Sequence, residues 1–288
     1  MSPDQALTIV VSVVASVATL LLISIGLAVI FGLMRVINLA HGEFLMLGAY
    51  AVLVGTRLGV SLWIAIPLAG LAVGIFGLVV EWLLIRPLYG RILDTLLATW
   101  GLSLVLVQAV SIVFGPATNG IGTPLGSVRV GSYSFSQYSL VLIVMAAVTL
   151  AAVFLFFTRT RYGVMARAAI QNPAMAQALG IDTARTNMLT FGIGSALAGL
   201  AGGLLAPIAG VVPSFGQAFI AQAFMTVIVG GPDVIAGTSA AAGLLGGSYS
   251  LVSYFTTPFI GQAALLLIAI GLLRLMPQGL SGNWRTYL

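Results

Sequence analysis

Long apolar stretches alternate with short polar or glycine-rich connections along most of the sequence. About 20 apolar residues suffice for one helical crossing of a bilayer. Stretches of roughly this length cover residues 7–33, 36–56, 61–85, 93–114, 138–157, 188–210, 217–235, 238–256 and 260–276. The stretch at 217–235 is interrupted by Gly230-Gly231-Pro232-Asp233, so the segment 217–256 either crosses the bilayer twice or re-enters it. We therefore predict an all-α, polytopic membrane protein with about eight or nine transmembrane helices, including broken or re-entrant segments, in one membrane domain over residues 1–288.

The composition agrees with this class and excludes several others. Of the 288 residues, 60% are hydrophobic and 6% are charged, whereas about a quarter are charged in soluble domains. Arg supplies all 11 basic residues, and the sequence contains no Lys and no Cys. Without Lys the chain lacks the residue that a Walker-type loop places on nucleotide phosphates, and without Cys it has no disulfide or thiolate nucleophile. His41 is the only His, so a two-His zinc motif is excluded and we expect no metal site.

The positions of the Arg residues predict an orientation in the membrane. They are scattered between apolar stretches, which favours a role in membrane topology over binding of nucleic acid. If the stretches alternate across the bilayer, Arg57 and Arg129 fall on one side and the others on the opposite side, which the positive-inside rule assigns to the cytoplasm. This predicts an external N-terminus, a cytoplasmic C-terminus, an external loop at 115–137 and a cytoplasmic loop at 158–187. The cytoplasmic set is Arg35, Arg86, Arg91, Arg159, Arg161, Arg167, Arg185, Arg274 and Arg285.

The densest polar cluster lies at the start of the second apolar stretch, where Asn38, His41 and Glu43 fall close together. An ionisable group in the bilayer core costs on the order of 2.5–3.5 kcal/mol on insertion scales, so such groups usually face a cavity or a partner. Two interpretations stay open. The three side chains form part of a solute pathway or gate, or they satisfy backbone groups at a broken helix end or at the interface.

The loop at 158–187 contains the signature of a short helix. Asn172 is a favourable N-cap, Pro173 suits the first helical position, and Gly180 suits the left-handed residue just past the end. Met175 and Leu179 then lie on one face because they are four residues apart. Such a helix either docks into a groove on another protein or rests on the lipid interface beside the neighbouring Arg residues, and the residues alone leave both possibilities open.

Small and charged residues predict two further structural features. Ser195, Gly199 and Gly203 recur every four residues, a spacing that lets helices approach closely in lipid. Glu81 precedes Arg86, and Arg91 precedes Asp94, near predicted helix ends. We expect each of these two pairs to form an ion pair at the cytoplasmic interface.

Two helix-breaking clusters, Asn38–Glu43 and Gly230–Gly237, lie near opposite ends of the chain. Transporters are often built from inverted halves in which broken helices occupy matching places. The two clusters therefore suggest a possible inverted repeat.

Several motifs together resemble the permease subunits of branched-chain amino acid type ABC importers, a family that also includes urea and short-chain amide permeases. The similarity covers nearly the whole chain in family order. The matching segments are Ile37–Glu43, Met46–Tyr50, Glu81 with Arg86-Pro87-Leu88, Arg161-Tyr162-Gly163, Arg167-Ala168, Asn172, Ala176, Leu179-Gly180-Ile181 and Met276–Leu280. Two segments, Gln171–Ala176 and Gly216–Phe219, are closer to the urea and amide branch.

The resemblance implies a set of partners in a bacterial inner membrane. These are a second permease subunit, two cytoplasmic ATPase subunits that bind ATP and Mg, and a solute-binding protein outside the membrane, with no cofactor in this chain. It also implies that residues 163–181 form the coupling segment that meets the ATPase, and that Asn38–Glu43 lies beside the translocation path. The implied coupling residues are Gly163, Arg167, Asn172, Pro173, Met175, Ala176, Leu179 and Gly180.

We therefore expect a non-enzymatic permease subunit of an ATP-driven importer for branched-chain or hydrophobic amino acids, or for a small amide such as urea. One alternative is a stand-alone ion-coupled carrier or channel, for which Glu43 is the one plausible deep carboxylate. Another is an intramembrane hydrolase with His41 as its base, although the sequence contains no G-x-S-x-G motif.

Overall fold

A computed structural model of the protein describes residues 3–118, 120–131 and 133–282. Within these ranges the chain forms eleven α-helices and one antiparallel β-hairpin. The helices are α1 (Pro3–Met34), α2 (His41–Arg57), α3 (Leu62–Val80), α4 (Ile92–Phe114), α5 (Gln137–Arg159), α6 (Arg161–Gln171), α7 (Pro173–Ala178), α8 (Thr183–Ala209), α9 (Gln217–Gly230), α10 (Ala236–Phe255) and α11 (Pro258–Leu275). A π-helical turn (Glu81–Ile85) and a 3₁₀ turn (Arg86–Leu88) continue α3.

The prediction of a polytopic, mostly helical membrane protein is confirmed. Six helical stretches of the described chain are long and apolar enough to cross a membrane. They are Asp4–Met34, Leu62–Leu88, Ile92–Phe114, Gln137–Arg159, Thr183–Ala209 and Pro258–Leu275. The helix α9 is apolar but shorter. Arg285, which the charge count assigns to the cytoplasmic side, lies outside the described residues.

The loop at 115–137 departs from the prediction of an all-α chain. It contains the hairpin of β1 (Ser127–Val130) and β2 (Tyr133–Ser136), with Val130 opposite Tyr133 and Ser127 opposite Ser136. Gly131 lies in the turn with φ of 58°, a conformation that glycine adopts without steric cost. β-branched and aromatic residues alternate with Ser and Arg in the two strands, which is the pattern of a half-exposed strand. The sequence prediction missed this pattern because the segment is short.

The loop at 158–187 contains two helices, α6 and α7, whereas the residue pattern predicted only the second. Thr160 caps α6, since its Oγ1 accepts a hydrogen bond from the Gly163 backbone N–H at 3.2 Å. Asn172 separates the two helices, because its extended backbone ends α6 and starts α7.

The chain divides into two compact units. The unit built on α2, α3 and α8 comprises residues 25–121 and 152–221, and the unit built on α10 and α11 comprises the described parts of 1–24, 122–151 and 222–288. In the first unit α8 packs against both α2 and α3. Phe44 anchors this packing, with its ring centroid 5.7 Å from that of Phe76 and 6.0 Å from that of Phe191.

The row of small residues on α8 permits close packing of these helices, as predicted. A Cβ atom on Gly199 would lie 2.6 Å from Cβ of Val73 on α3, too close for a real contact. On α2, a Cβ atom on Gly48 would collide with the backbone of Gly199. Ser195 lies against Gly77 of α3 in the same way. The spacing of four residues therefore places α8 in direct backbone contact with its neighbours, as small residues do in membranes.

In the second unit the C-terminal segment closes over the end of α9. The backbone N–H groups of Leu280 and Ser281 donate to the carbonyls of Val229 (2.7 Å) and Gly230 (3.1 Å). The buried Ser281 hydroxyl also donates to the Gly230 carbonyl at 2.7 Å. Beyond the break, Asp233 Oδ1 accepts a hydrogen bond at 2.8 Å from the N–H of Ala236, the first residue of α10. The predicted interruption at 230–233 is therefore a helix break, and the hydrogen bonds from Leu280 and Ser281 hold the end of α9 in place.

Candidate functional site

The break between α1 and α2 is shaped by Asn38. α1 ends at Met34, and Arg35 adopts a positive φ of 54°. The Asn38 Oδ1 atom accepts a hydrogen bond from the Ala40 N–H at 3.0 Å, and its carbonyl accepts one from the His41 N–H at 3.3 Å. Short polar side chains form such local turns readily, which interrupts one helix and starts the next.

The structure brings the three predicted polar residues together in the protein interior. Asn38 and His41 are fully buried, and Glu43 is 3% exposed. Asn38 Nδ2 and Glu43 Oε2 have no hydrogen-bond partner among the described residues. Buried polar atoms normally have partners because an unpaired one costs about 1–3 kcal/mol. These two atoms lie within six residues of each other along the chain, and both remain able to form a hydrogen bond.

Two hydroxyl groups of α4 complete this cluster, and sequence reasoning missed both. Thr99 Oγ1 accepts a hydrogen bond from the Leu39 N–H at 3.1 Å and donates within its own helix to the Leu96 carbonyl at 3.0 Å; the Ile37 carbonyl lies 3.4 Å away. Ser103 lies beside the Glu43 carboxyl group. The first turn of α2 and the break before it are therefore fixed against α4.

A periodic signal in the sequence could have found these hydroxyls. Thr95, Thr99 and Ser103 are each four residues apart on α4, so they share one helix face. Thr95 lies one helical turn before Thr99, and its Oγ1 atom is 3.2 Å from the Leu88 carbonyl. A hydroxyl row on an otherwise apolar helix indicates polar neighbours, although it does not say which ones.

Further along α2, Tyr50 extends the buried polar face. It lies seven residues after Glu43, which returns it to the same side of the helix. Its ring is buried against Phe114 with a centroid distance of 4.6 Å, and its hydroxyl has no partner among the described residues.

The glycine between His41 and Glu43 has a separate structural role. A Cβ atom on Gly42 would lie 2.7 Å from the carbonyl oxygen of Gly216, directly before α9. Only glycine permits this approach. The polar cluster at the start of α2 is therefore in backbone contact with the segment leading into α9.

The start of the short helix α7 is as predicted. Asn172 Oδ1 accepts a hydrogen bond from the Met175 N–H at 3.0 Å, which is an N-cap, and Pro173 occupies the first turn. Because each residue meets its own local requirement, the helix begins where the sequence indicates.

The end of α7 is also as predicted. Gly180 has a φ of 83°. Its N–H donates to the Gln177 carbonyl at 2.9 Å, and the Ile181 N–H donates to the Ala176 carbonyl at 3.0 Å. This pair of bonds is the Schellman motif, which satisfies carbonyls that the helix itself leaves free.

The exposed face of α7 is apolar. Met175 is 56% exposed and Leu179 is 74% exposed, while Ala176 faces the protein and is buried. The predicted arrangement of Met175 and Leu179 on one exposed face is confirmed. We refer to these two side chains as the α7 apolar face.

Gly163 and Arg167, which the family resemblance assigns to a coupling segment, lie in the corner between α5 and α6. Gly163 is buried, and a Cβ atom there would collide with the Phe157 carbonyl. The Arg167 guanidinium donates to that same carbonyl. These two residues therefore hold α6 onto the end of α5 and do not share the α7 apolar face.

Of the two predicted ion pairs, one is confirmed and the other is wrong. Arg91 and Asp94 lie 3.9 Å apart, and both are exposed. Glu81 is fully buried in the π-helical turn and accepts a hydrogen bond from the Tyr89 hydroxyl instead of pairing with Arg86, which is exposed. The π turn adds a residue to the helix, which turns Glu81 inward.

The sequence is similar to a known protein family and to several of its members. Residues 9–275 match the family described as branched-chain amino acid transport system / permease component. The chain is 29% identical over 283 residues to a probable branched-chain amino acid transport permease protein LivH of Methanocaldococcus jannaschii, covering 92% of this chain and 90% of the relative. It is 30% identical over 287 residues to the permease protein BraD of a high-affinity branched-chain amino acid transport system in Pseudomonas aeruginosa, covering 92% of each chain.

A third relative gives the same picture. The permease protein LivH of the high-affinity branched-chain amino acid transport system of Escherichia coli is 29% identical over 286 residues, again with 92% of each chain covered. No solved structure matches the chain. The family match extends over more than nine-tenths of the residues, from α1 to the end of α11. The chain therefore belongs to the permease components of branched-chain amino acid transport systems, and it is a transport subunit and not an enzyme.

Proposed function

We propose that this chain is the membrane pathway of an importer whose ATPase subunits dock on the α7 apolar face. The exposure of Met175 and Leu179 carries this proposal. Two large apolar side chains, one on a capped helix of six residues and one at its C-cap, suit a hydrophobic groove on a partner. Because the chain has no Lys for a phosphate loop, ATP and Mg bind to the ATPase subunits, and this chain holds no cofactor.

The remaining partners follow from the same function. A second permease subunit completes the pathway, and a solute-binding protein delivers solute from outside. We assign a branched-chain amino acid as the solute because the relatives bear that name. Urea or a short amide is the competing outcome, since Gln171–Ala176 resembles that branch.

The proposed topology has eight or nine crossings in the bacterial inner membrane. The 17-residue α2 and the 20-residue α10 supplement the six candidate membrane spans, and α9 crosses or re-enters. The N-terminus is external, whereas the C-terminus and the loop 158–187 are cytoplasmic by the distribution of Arg. The breaks shaped by Asn38 and Asp233 correspond in the proposed inverted repeat.

The proposed pathway passes the cluster of Asn38, His41 and Glu43. Its support is the burial of all three side chains with polar atoms of Asn38 and Glu43 that no described residue satisfies. Ser103 lies beside the Glu43 carboxyl group, and Tyr50 supplies a further hydroxyl on the same face of α2. A hydrated solute that passes this cluster replaces its hydrogen bonds to water with hydrogen bonds to these polar groups.

Co-purification tests the proposed function. The tagged chain is expressed together with the ATPase, permease and binding-protein genes that adjoin it. We expect both ATPase subunits to co-purify, and we expect the separately purified binding protein to be stabilised by leucine, isoleucine or valine in a thermal shift. Stabilisation by urea or acetamide alone would replace the assigned solute. Absence of an ATPase from the purified complex would contradict the docking role of α7.

A further inference from the structure

The first two turns of α8 make polar contacts with three other elements of their compact unit. Gln177 of α7 donates from Nε2 to Oγ1 of Thr183, the first residue of α8, at 2.8 Å. Asp182 caps this end of α8, since its Oδ1 accepts from the Arg185 N–H at 2.9 Å. The start of α8 is therefore hydrogen-bonded directly to the helix proposed to dock the ATPase.

Tyr162 joins α6 to the same part of α8. Its hydroxyl donates to the Thr186 carbonyl at 2.7 Å and lies 2.8 Å from Oγ1 of Thr190. Its ring packs on Phe156, with centroids 5.5 Å apart. Burial raises the pKa of Tyr162 to about 12, so the hydroxyl keeps its proton throughout the physiological range.

On another side, α8 contacts the connection between α3 and α4. The Asn187 side chain lies beside the Tyr89 hydroxyl, which donates a hydrogen bond to the buried Glu81 carboxylate. Burial, together with the adjacent Glu81, raises the pKa of Tyr89, so this hydroxyl also remains a donor. Glu81 lies in the π-helical turn, a feature that occurs frequently at functional sites.

We propose that Tyr162 and the Tyr89–Glu81 pair are positioning residues that transmit displacement of the α6–α7 segment through the start of α8 to α3. The contacts form one continuous series: α7 and α6 hydrogen-bond α8 at Thr183, Thr186 and Thr190, and α8 packs against the π-helical turn at the end of α3, where Asn187 lies beside Tyr89. A rigid helix held on both sides moves with its neighbours, and a helix that has lost these contacts does not follow them. This inference rests on the proposed docking of an ATPase at α7.

The experiment measures uptake and ATP hydrolysis in the same proteoliposomes, which contain the full complex and the loaded binding protein. In Tyr162→Phe and Tyr89→Phe each ring stays in place while one hydroxyl is lost. We expect ATPase co-purification as in the wild type, but about fivefold less solute transported per ATP hydrolysed, a loss comparable to one buried hydrogen bond. The double variant should be no worse than the more affected single variant, because both changes interrupt one series.

Tyr254→Phe is the matched control. It also loses one tyrosine hydrogen bond, to Gln5 in the other compact unit, and the transport-to-ATP ratio should stay at the wild-type value. If Tyr162→Phe fails to accumulate, Thr190→Val removes one of the two partners of the Tyr162 hydroxyl, leaves its bond to the Thr186 carbonyl, and should lower the ratio in the same direction but by less. An unchanged ratio in variants that retain the ATPase, or independent multiplicative losses in the double variant, would overturn the proposal. Loss of ATPase from the wild-type complex would instead refute the proposed function itself.

Discussion

Replacement of Met175 and Leu179 by Glu should abolish solute uptake while the chain still inserts into the membrane. Both side chains are more than half exposed, so the folded chain tolerates the charges. In the proposed complex these side chains are buried, and each contributes about 1.5–3 kcal/mol by leaving water. Loss of both weakens ATPase docking at least about a hundredfold. Uptake of labelled solute and co-purification of the ATPase measure the effect.

Leu58→Glu provides the matched control for this variant. Leu58 is also highly exposed and lies just after α2, away from α7. The control should retain the ATPase and most of the uptake. If the double Glu variant keeps both activities, α7 does not dock the ATPase.

Glu43→Gln should lower uptake about tenfold or more without preventing assembly. The amide keeps the shape of the side chain, but it replaces a carboxyl oxygen of the buried cluster with an NH2 group, so that one acceptor is lost. An unpaired buried polar group costs about 1–3 kcal/mol, which corresponds to a factor of about ten. Initial uptake rates, normalised to the amount of purified complex, give the magnitude.

Asp94→Asn is the control for this second variant. Asp94 is exposed and forms an ion pair with Arg91, so its change should alter uptake less than about twofold, as exposed pairs contribute little. Wild-type uptake by Glu43→Gln would assign Glu43 a structural role at the helix break and would contradict its place in the pathway.

Local features were predictable from sequence, and contacts between distant segments were not. The helix α7 begins at Pro173 and ends before Gly180 as predicted, because cap residues act within one or two turns. The row of Ser195 and Gly199 likewise packs against other helices as expected. In each case the necessary information lies within a few consecutive residues.

The contacts that the sequence did not predict have one physical cause in common. Thr99 and Ser103 reach the polar cluster only because α4 packs beside the break after α1, an arrangement that no single-helix pattern contains. Glu81 was expected to pair with Arg86, five residues away, but the π turn directs it to Tyr89. The partner of a buried polar side chain depends on which helices are adjacent, and a single sequence does not specify that.

The most direct test of the account is uptake by proteoliposomes that contain either the purified permease subunits alone or the same subunits with ATPases and binding protein. We expect the permease subunits alone not to concentrate leucine above its external level, with or without ATP or an ion gradient. The complete complex should concentrate it when ATP is present. Accumulation by the permease subunits alone against a gradient would contradict the claim that this chain is a passive pathway driven from α7.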